Sequence, residues 1–298
     1  MWQIFLLNAV CGSTYTISKI LLGYATPIML MALRMCLGGT VLLSYYYYRH
    51  GFPRIRRSAW SILFAIAFLG IYVSFICEFS ALQYISAAKT ALLFNLTPFI
   101  TALFAYFYFT ERMTTRKIVG LLIGFLGFIP IMISQQSNED LLGGLWFLSW
   151  PEIAIMISVV GYAYSWILIK KVIEEHAYSP LLINGVTMLV AGLMGVPTAF
   201  FVEGFAVIPD KGMFAFWLLL IIFLGNIVFN NLYGYLLSHY SVTFLSFTGF
   251  TIPFFTALYD YVFFGEILTW DFWASSLIVG FGLYIFYKAE SEEEKIDT

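Results

Sequence analysis

Ten apolar stretches follow one another almost end to end along this 298-residue chain, and each is close to the roughly 20 residues a helix needs to cross the hydrocarbon core of a bilayer. They fall near 3–22, 28–48, 59–83, 86–109, 117–134, 151–170, 180–202, 214–237, 243–264 and 271–288. Composition removes the alternative of a soluble protein with buried helices. Only 11% of residues are charged and 61% are hydrophobic, against about 25% charged in a typical soluble chain, so there is too little polar surface to coat a water-soluble globule. The mean hydropathy of +0.87 also excludes a disordered chain, and the sparse charge excludes a nucleic-acid binder. Cys11, Cys36 and Cys77 each lie in a different apolar run, which reads as packing rather than a disulfide framework. The expectation is an all-α integral membrane protein with ten transmembrane helices and the lipid bilayer as partner. The first stretch lacks a basic lead-in and a small-residue cleavage site, and is read as a retained helix rather than a signal peptide.

The breaks between stretches have their own chemistry. Pro27 and Pro180 open the second and seventh, Gly51 and Pro53 punctuate a basic turn, and Gln135 to Asp140 is a polar run. Lys and Arg near the span ends set orientation. With ten spans both termini share a side. That side receives Arg49, Arg54, Arg56, Arg57, Arg112, Arg116, Lys117, Lys170, Lys171, Lys288 and Lys295, while the other receives Lys211. Eleven against one predicts both termini in the cytoplasm, with a bacterial-type cell (inner) membrane as the location. Glu290, Glu292, Glu293 and Glu294 then belong to an acidic cytoplasmic tail, 290–298.

The chain also repeats itself. Residues 98–111 read PFITALFAYFYFTE and residues 253–266 read PFFTALYDYVFFGE, so at an offset of 155 eight of fourteen positions are identical, where composition alone would give about one. Thr114 matches Thr269, Leu122 matches Leu277, Ile123 matches Ile278 and Gly127 matches Gly282 in the same register. Pro27 pairs with Pro180 at an offset of 153, and Tyr15 with Tyr164 at 149. Two five-helix repeats follow, 1–135 and 150–289. Five is odd, so the second copy enters the membrane from the opposite face and the repeats are inverted. Inverted repeats recur in secondary transporters, with the solute site near the midplane between the halves. Two similar halves in opposite orientation give inward-open and outward-open states of comparable energy, whereas a receptor or scaffold leaves the repeat unexplained.

Residues 78–130, above all Ala81, Leu82, Pro98, Glu111, Gly120, Gly124 and Gly127, resemble the EamA domain of the drug/metabolite transporter superfamily. The second copy resembles it through Pro253, Glu266 and Gly282. Pro27 followed by Arg34 resembles the start of that family's second helix, while Cys11-Gly12 stands where the family usually has Trp-Gly. The resemblance implies a ten-helix secondary transporter of small metabolites and is nearly silent on which one. Two departures stand out. Ser275 and Val279 replace in the second copy the glycines Gly120 and Gly124 of the first, and Lys89 stands where a small or apolar residue is usual.

Five charged residues fall inside the apolar stretches: Lys19, Arg34, Glu78, Lys89 and Asp260. An ionised group at the bilayer centre costs about 2.5–3.5 kcal/mol even on the lenient insertion scale, so each is a candidate for function. The derived orientation puts all five in the outer half. Snorkelling to the headgroups accounts for Lys19 and Lys89 singly, but not for the short side chains of Glu78 and Asp260. The expectation is a charged outer vestibule in which Glu78 and Asp260 each face a cation, Asp260 and Lys89 form a gate, and a zwitterion finds both signs. Tyr15, Tyr164, Trp166 and Tyr233 lie deeper and either pack as core or offer ring faces to a cationic or planar solute. Asn95, Asn230 and Asn231 either bond between helices or touch solute. Pro98 and Pro253 fall inside helices and free a carbonyl four residues earlier. Glu111 with Thr114, and Glu266 with Thr269, read as matching hairpin motifs whose carboxylates accept hydrogen bonds from the next helix or from the Thr hydroxyl.

No catalytic constellation accompanies these residues. His50, His176 and His239 fall at cytoplasmic span ends without a second ligand nearby, so no metal or cofactor is expected, and there is no Walker-type phosphate loop. The chain is not expected to be an enzyme. The reading is an alternating-access carrier of a small polar metabolite, first an amino acid or amino-acid-derived zwitterion such as S-adenosylmethionine. Proton-coupled export of organic cations or drugs is the alternative. Coupling to protons or a counter-substrate, and the choice between monomer and homodimer, stay open.

Overall fold

The computed structural model describes residues 2–51, 55–85, 87–109, 114–127, 144–145, 148–204, 208–265 and 270–294. Its helices are α1 (Trp2–Leu21), α2 (Pro27–His50), α3 (Arg57–Leu82), α4 (87–109), α5 (Thr115–Leu126), α6 (Trp150–His176), α7 (Pro180–Val202), α8 (Lys211–Leu237), α9 (Val242–Phe264) and α10 (Trp270–Glu294). Seven of these, α1 to α3 and α6 to α9, are long and apolar enough to cross a membrane, and the apolar part of α4, Phe94–Phe109, is shorter. The two-residue strands Gly144–Leu145 and Leu148–Ser149 pair antiparallel just before α6, a small departure from the all-helical expectation. The polar run 135–140 lies outside the described residues, and α10 runs on through Glu294 into the acidic segment.

Several helix ends are closed by side chains, which partner backbone groups that have no intrahelical bond. Ser149 and Glu152 form a capping box at α6, Asp210 accepts from the Gly212 and Met213 N–H groups at α8, and Ser241 accepts from Phe244 at α9. Two further caps come from distant helices. Glu203 at the end of α7 accepts hydrogen bonds from Thr26 Oγ1 (2.5 Å), Ile28 N (2.9 Å) and Met29 N (3.0 Å) at the start of α2. Lys19, near the end of α1, donates to the carbonyls of Leu82 (2.9 Å) and Ile85 (2.6 Å) at the end of α3. Each charge sits at the helix end whose dipole it complements.

The packing pairs helices as α2 with α7, α5 with α10, α4 with α9, α3 and α4 with α6, and α8 and α9 with α1. Replacing each helix by the one five later reproduces this set. Small residues allow the close approaches. On α2, a Cβ at Gly39 would lie 2.9 Å from Gly185 O of α7, and at Gly282 of α10 a Cβ would lie 2.6 Å from Gly124 N of α5. Val279, one of the two departures from the repeated glycines, is buried and packs its Cγ2 against Gly127. Large apolar side chains such as Phe107, Phe201 and Leu277 stand exposed on the outside, as a lipid-facing surface requires.

Among the described residues, four helices are interrupted, in two matched pairs. α3 and α8 each carry a widened π-helical stretch, Ile66–Val73 and Ile222–Phe229. In both a side chain closes the gap back to a carbonyl five residues earlier: Ser74 Oγ to Leu69 O (2.8 Å) and Asn230 Nδ2 to Gly225 O (2.6 Å). α4 and α9 each tighten into a 3₁₀ turn, Phe94–Leu96 and Gly249–Thr251. Pro98 and Pro253 therefore stand in the first turn of a second half-helix, where proline is tolerated, rather than inside a continuous one. The carbonyl freed by Pro98, Phe94 O, accepts from the backbone and hydroxyl of Thr97, and Gly249 O accepts from Ile252 N.

Candidate solute site

Both 3₁₀ turns face the same space. A small cavity of about 40 Å³ lies between α1, α4, α6, α8 and α9. Phe94 and Asn95 from one interrupted helix and Gly249 from the other line it, together with Asn8, Cys11, Tyr15, Tyr162, Phe229, Tyr233 and Ser246. Its walls are aromatic. Phe94 meets Tyr15 at 5.6 Å and Tyr162 at 5.7 Å, both edge to face. Trp166 backs the other side, with its ring 4.0 Å from that of Tyr233 and 5.8 Å from that of Tyr162. Polar groups are few and placed. Asn8 donates to Thr248 O (2.8 Å) and Thr251 Oγ1 (2.9 Å), pinning α1 to the break in α9. Asn95 is buried, and among the described residues its Nδ2 has no hydrogen-bond partner. The lining, mostly apolar with a few directed polar groups, has the composition usual for a small-molecule site, and the space is closed down well below the roughly 300–1,000 Å³ of an open one.

The residues singled out from sequence divide accordingly. Tyr15, Asn95 and Tyr233 line the cavity, and Trp166 stands directly behind it. Tyr164 does not: its hydroxyl is 2.8 Å from that of Tyr108, beside an apolar recess between α3, α4 and α6. Tyr162, two residues earlier, takes the inward position. Asn230 closes the π-helical gap in α8 and borders a second, smaller cavity of about 20 Å³, lined also by Ser165, Asn184 and Thr187. Asn231 donates to Ile227 O at 2.8 Å within α8.

Of the five intramembrane charges, Lys19 is the cap on α3 described above, and Asp260 is buried and accepts from Thr16 Oγ1 at 2.7 Å. The side chain of Lys89 lies outside the described residues, so its pairing with Asp260 is not part of the structure described. Arg34 is buried with its Nε on Asn226 Oδ1 (2.7 Å) and its guanidinium over the Phe75 and Phe79 rings at 5.1 and 6.0 Å. Glu78 is buried on α3, the helix that also carries Phe75 and Phe79. Glu111, Glu266 and Thr269 lie outside the described residues. Thr114 occupies the N-cap of α5, where its side chain makes no capping hydrogen bond. No cluster of three metal-ligating side chains occurs among the described residues.

The contribution of Tyr162, Phe94 and Asn8 was not read from the sequence. Asn8 is a polar residue inside the first apolar stretch, and that was the available signal. Phe94 and Tyr162 carry none in an aromatic-rich chain.

Comparison with known proteins gives a consistent picture. The model of the EamA-like transporter family matches residues 1–133 and 149–288. The S-adenosylmethionine/S-adenosylhomocysteine transporter of Chlamydia muridarum is 26% identical over 269 residues, which is 89% of this chain and 84% of that protein. A protein of the same description from Chlamydia trachomatis serovar D is 26% identical over 269 residues, 89% and 82% of the two chains. The uncharacterized transporter YvbV of Bacillus subtilis is 26% identical over 282 residues, 90% and 85% of the two chains. A solved crystal structure shares the fold with a TM-score of 0.72 at 15% identity, over 95% of this chain and 96% of the other.

Proposed function

The chain belongs to the EamA-like transporter family, and from that premise we propose a secondary-active carrier that works by alternating access on an amino-acid-derived zwitterion, S-adenosylmethionine foremost. The observation that carries the proposal is the cavity at the junction of the two interrupted helices α4 and α9, walled by aromatic rings and edged by Asn8 and Asn95. Discontinuous helices at the meeting of two repeats are where secondary transporters hold solute. Aromatic faces suit a purine ring and a sulfonium cation alike, and the names of the Chlamydia relatives support that choice.

Ten spans in two inverted five-helix repeats, with both termini cytoplasmic, complete the proposal. The two-part family match, the paired π-helical and 3₁₀ interruptions and the packing that maps onto itself five helices later support the repeats, and the excess of Lys and Arg at one side's span ends supports the orientation. Lys89, Asp260, Glu111 and Glu266 keep their roles here as gate and hairpin residues. Reporter fusions at each terminus test the orientation.

The substrate is tested with purified protein in liposomes. Preloading with unlabelled S-adenosylmethionine should accelerate uptake of the labelled compound from outside. Absence of counterflow, with uptake of organic cations driven by a proton gradient instead, would replace this reading with that of a cation exporter.

A further inference from the structure

Arg34 and Glu78 are 3% and 8% exposed, yet no ion pair joins them among the described residues. The hydrogen bond of Arg34 uses Nε. Among the described residues none uses its two Nη atoms, and none is accepted by the Glu78 carboxylate. Two buried opposite charges that stop short of bridging are costly, because each loses its hydration without the compensation of a contact. The structure also explains what holds Arg34 back. Asn226 fixes the guanidinium from α8 and is itself held by the sulfurs of Met35 and Met188, each at 3.4 Å. Phe75 and Phe79 cover its face. The π-helical stretch of α8 brings Gly225 against Nη2, where a Cβ would collide. Phe75, which covers the Arg34 guanidinium, lines the second cavity together with Tyr162, and Tyr162 also lines the aromatic cavity.

We propose that Arg34 and Glu78 form a receptor for an α-amino-carboxylate head group at the edge of the cavity, Arg34 taking the carboxylate and Glu78 the ammonium. The planar remainder of the solute then lies among Tyr15, Phe94, Tyr162 and Tyr233. The inference rests on the carrier reading above and adds the groups that recognise the zwitterion. A guanidinium whose two Nη atoms make no hydrogen bond among the described residues presents the fork that matches a carboxylate. A zwitterionic head is neutral overall, so its binding compensates both protein charges at once, whereas a solute with one of the two groups leaves a buried charge alone. Arg34 and Glu78 thus set specificity, and the rings hold what the head group is attached to.

The test measures binding to the full-length purified protein by radioligand competition. The compounds are S-adenosylmethionine, its carboxyl methyl ester, its deaminated analogue, and methylthioadenosine, which has no head group. Wild type should bind the ester and the deaminated analogue roughly tenfold to hundredfold more weakly than S-adenosylmethionine, the range for one charged hydrogen-bonded contact. Arg34→Gln should erase discrimination against the ester, Glu78→Gln should erase discrimination against the deaminated analogue, and methylthioadenosine should bind all three proteins alike. Equal wild-type affinity for the parent and the ester overturns the inference and leaves the carrier reading standing. So does an Arg34→Gln protein that weakens every compound by one factor. If wild type binds none of the compounds, both fall. Should either variant fail to fold, the ligand series on wild type decides.

Discussion

Glu203 offers a sharp test of how the bundle is held. Glu203→Ala removes the acceptor of three hydrogen bonds, from Thr26 Oγ1, Ile28 N and Met29 N, and leaves the first turn of α2 uncapped. Loss of an N-cap costs about 0.5–2 kcal/mol, and a hydrogen bond to a charged acceptor contributes about 1.5–3 kcal/mol. Two backbone donors and one hydroxyl sharing a single carboxylate, with water partly replacing it at this half-buried end, give about 2–4 kcal/mol together. A change of 1 kcal/mol moves the midpoint of a chain somewhat smaller than this one by about 2–4 °C, so the expected drop is roughly 5–12 °C. Glu203→Gln keeps one carbonyl oxygen and should lose about half as much. Ser179→Ala removes a local cap on α7, a single bond of 3.3 Å to Leu182 N, and should cost about 1 kcal/mol or less. Thermal melting in detergent at one fixed scan rate, followed by fluorescence, measures all three. A Glu203→Ala midpoint within 1 °C of wild type, or a larger loss from Ser179→Ala, would refute the idea that α2 is capped from across the bundle.

Other substitutions probe the remaining links. Asn8→Ala loses both contacts to the interrupted segment of α9 and should weaken equilibrium binding of S-adenosylmethionine about tenfold, as read by radioligand titration. Tyr233→Leu removes the ring that lies tilted 4.0 Å from that of Trp166 and should raise the Kd for methylthioadenosine about tenfold, while Tyr233→Phe stays within about threefold. Gly124→Leu drives a side chain into Phe250 and should abolish the monodisperse peak in size-exclusion chromatography, since overpacking a filled interface costs at least about 1–3 kcal/mol. Replacing Ser74 by Ala and Asn230 by Leu together leaves both π-helical gaps without their side-chain closures, and hydrogen exchange at residues 66–73 and 222–229 should accelerate together.

Span positions were legible in the sequence to within a few residues where apolar runs end at proline or serine: α7 covers 180–202 as read, and α9 begins at Val242 rather than 243. The sixth span is longer than its apolar run, reaching His176 rather than 170. There the helix continues on Lys170 with Glu174 (3.9 Å) and Lys171 with Glu175 (3.7 Å), paired one turn apart, so hydropathy ends before the helix does. Proline marked the interruptions of α4 and α9. Nothing marked those of α3 and α8, because a π-helical stretch depends on Ser74 and Asn230 folding back and on Gly70 and Gly225 meeting other helices. Of the residues that depth and polarity single out in the sequence, Tyr15, Asn95 and Tyr233 line the cavity. The loose repeat register that pairs Tyr15 with Tyr164 points two residues past Tyr162, the residue that lines the cavity, and two residues along a helix turn a side chain by about 200°.

The sequence by itself determined that this chain lives in a bilayer and is a transporter of the EamA type. It could do so because each apolar run satisfies its own backbone, so bilayer thickness alone dictates its length and nature. The tertiary structure decided which face of each helix turns inward, where the helices break, and which charges meet. Lipid is as apolar as a protein core, so no amphipathic stripe separates the two faces. The meeting of Arg34 with Asn226, of Glu203 with α2, and of the rings around the cavity comes from packing between segments far apart in the chain.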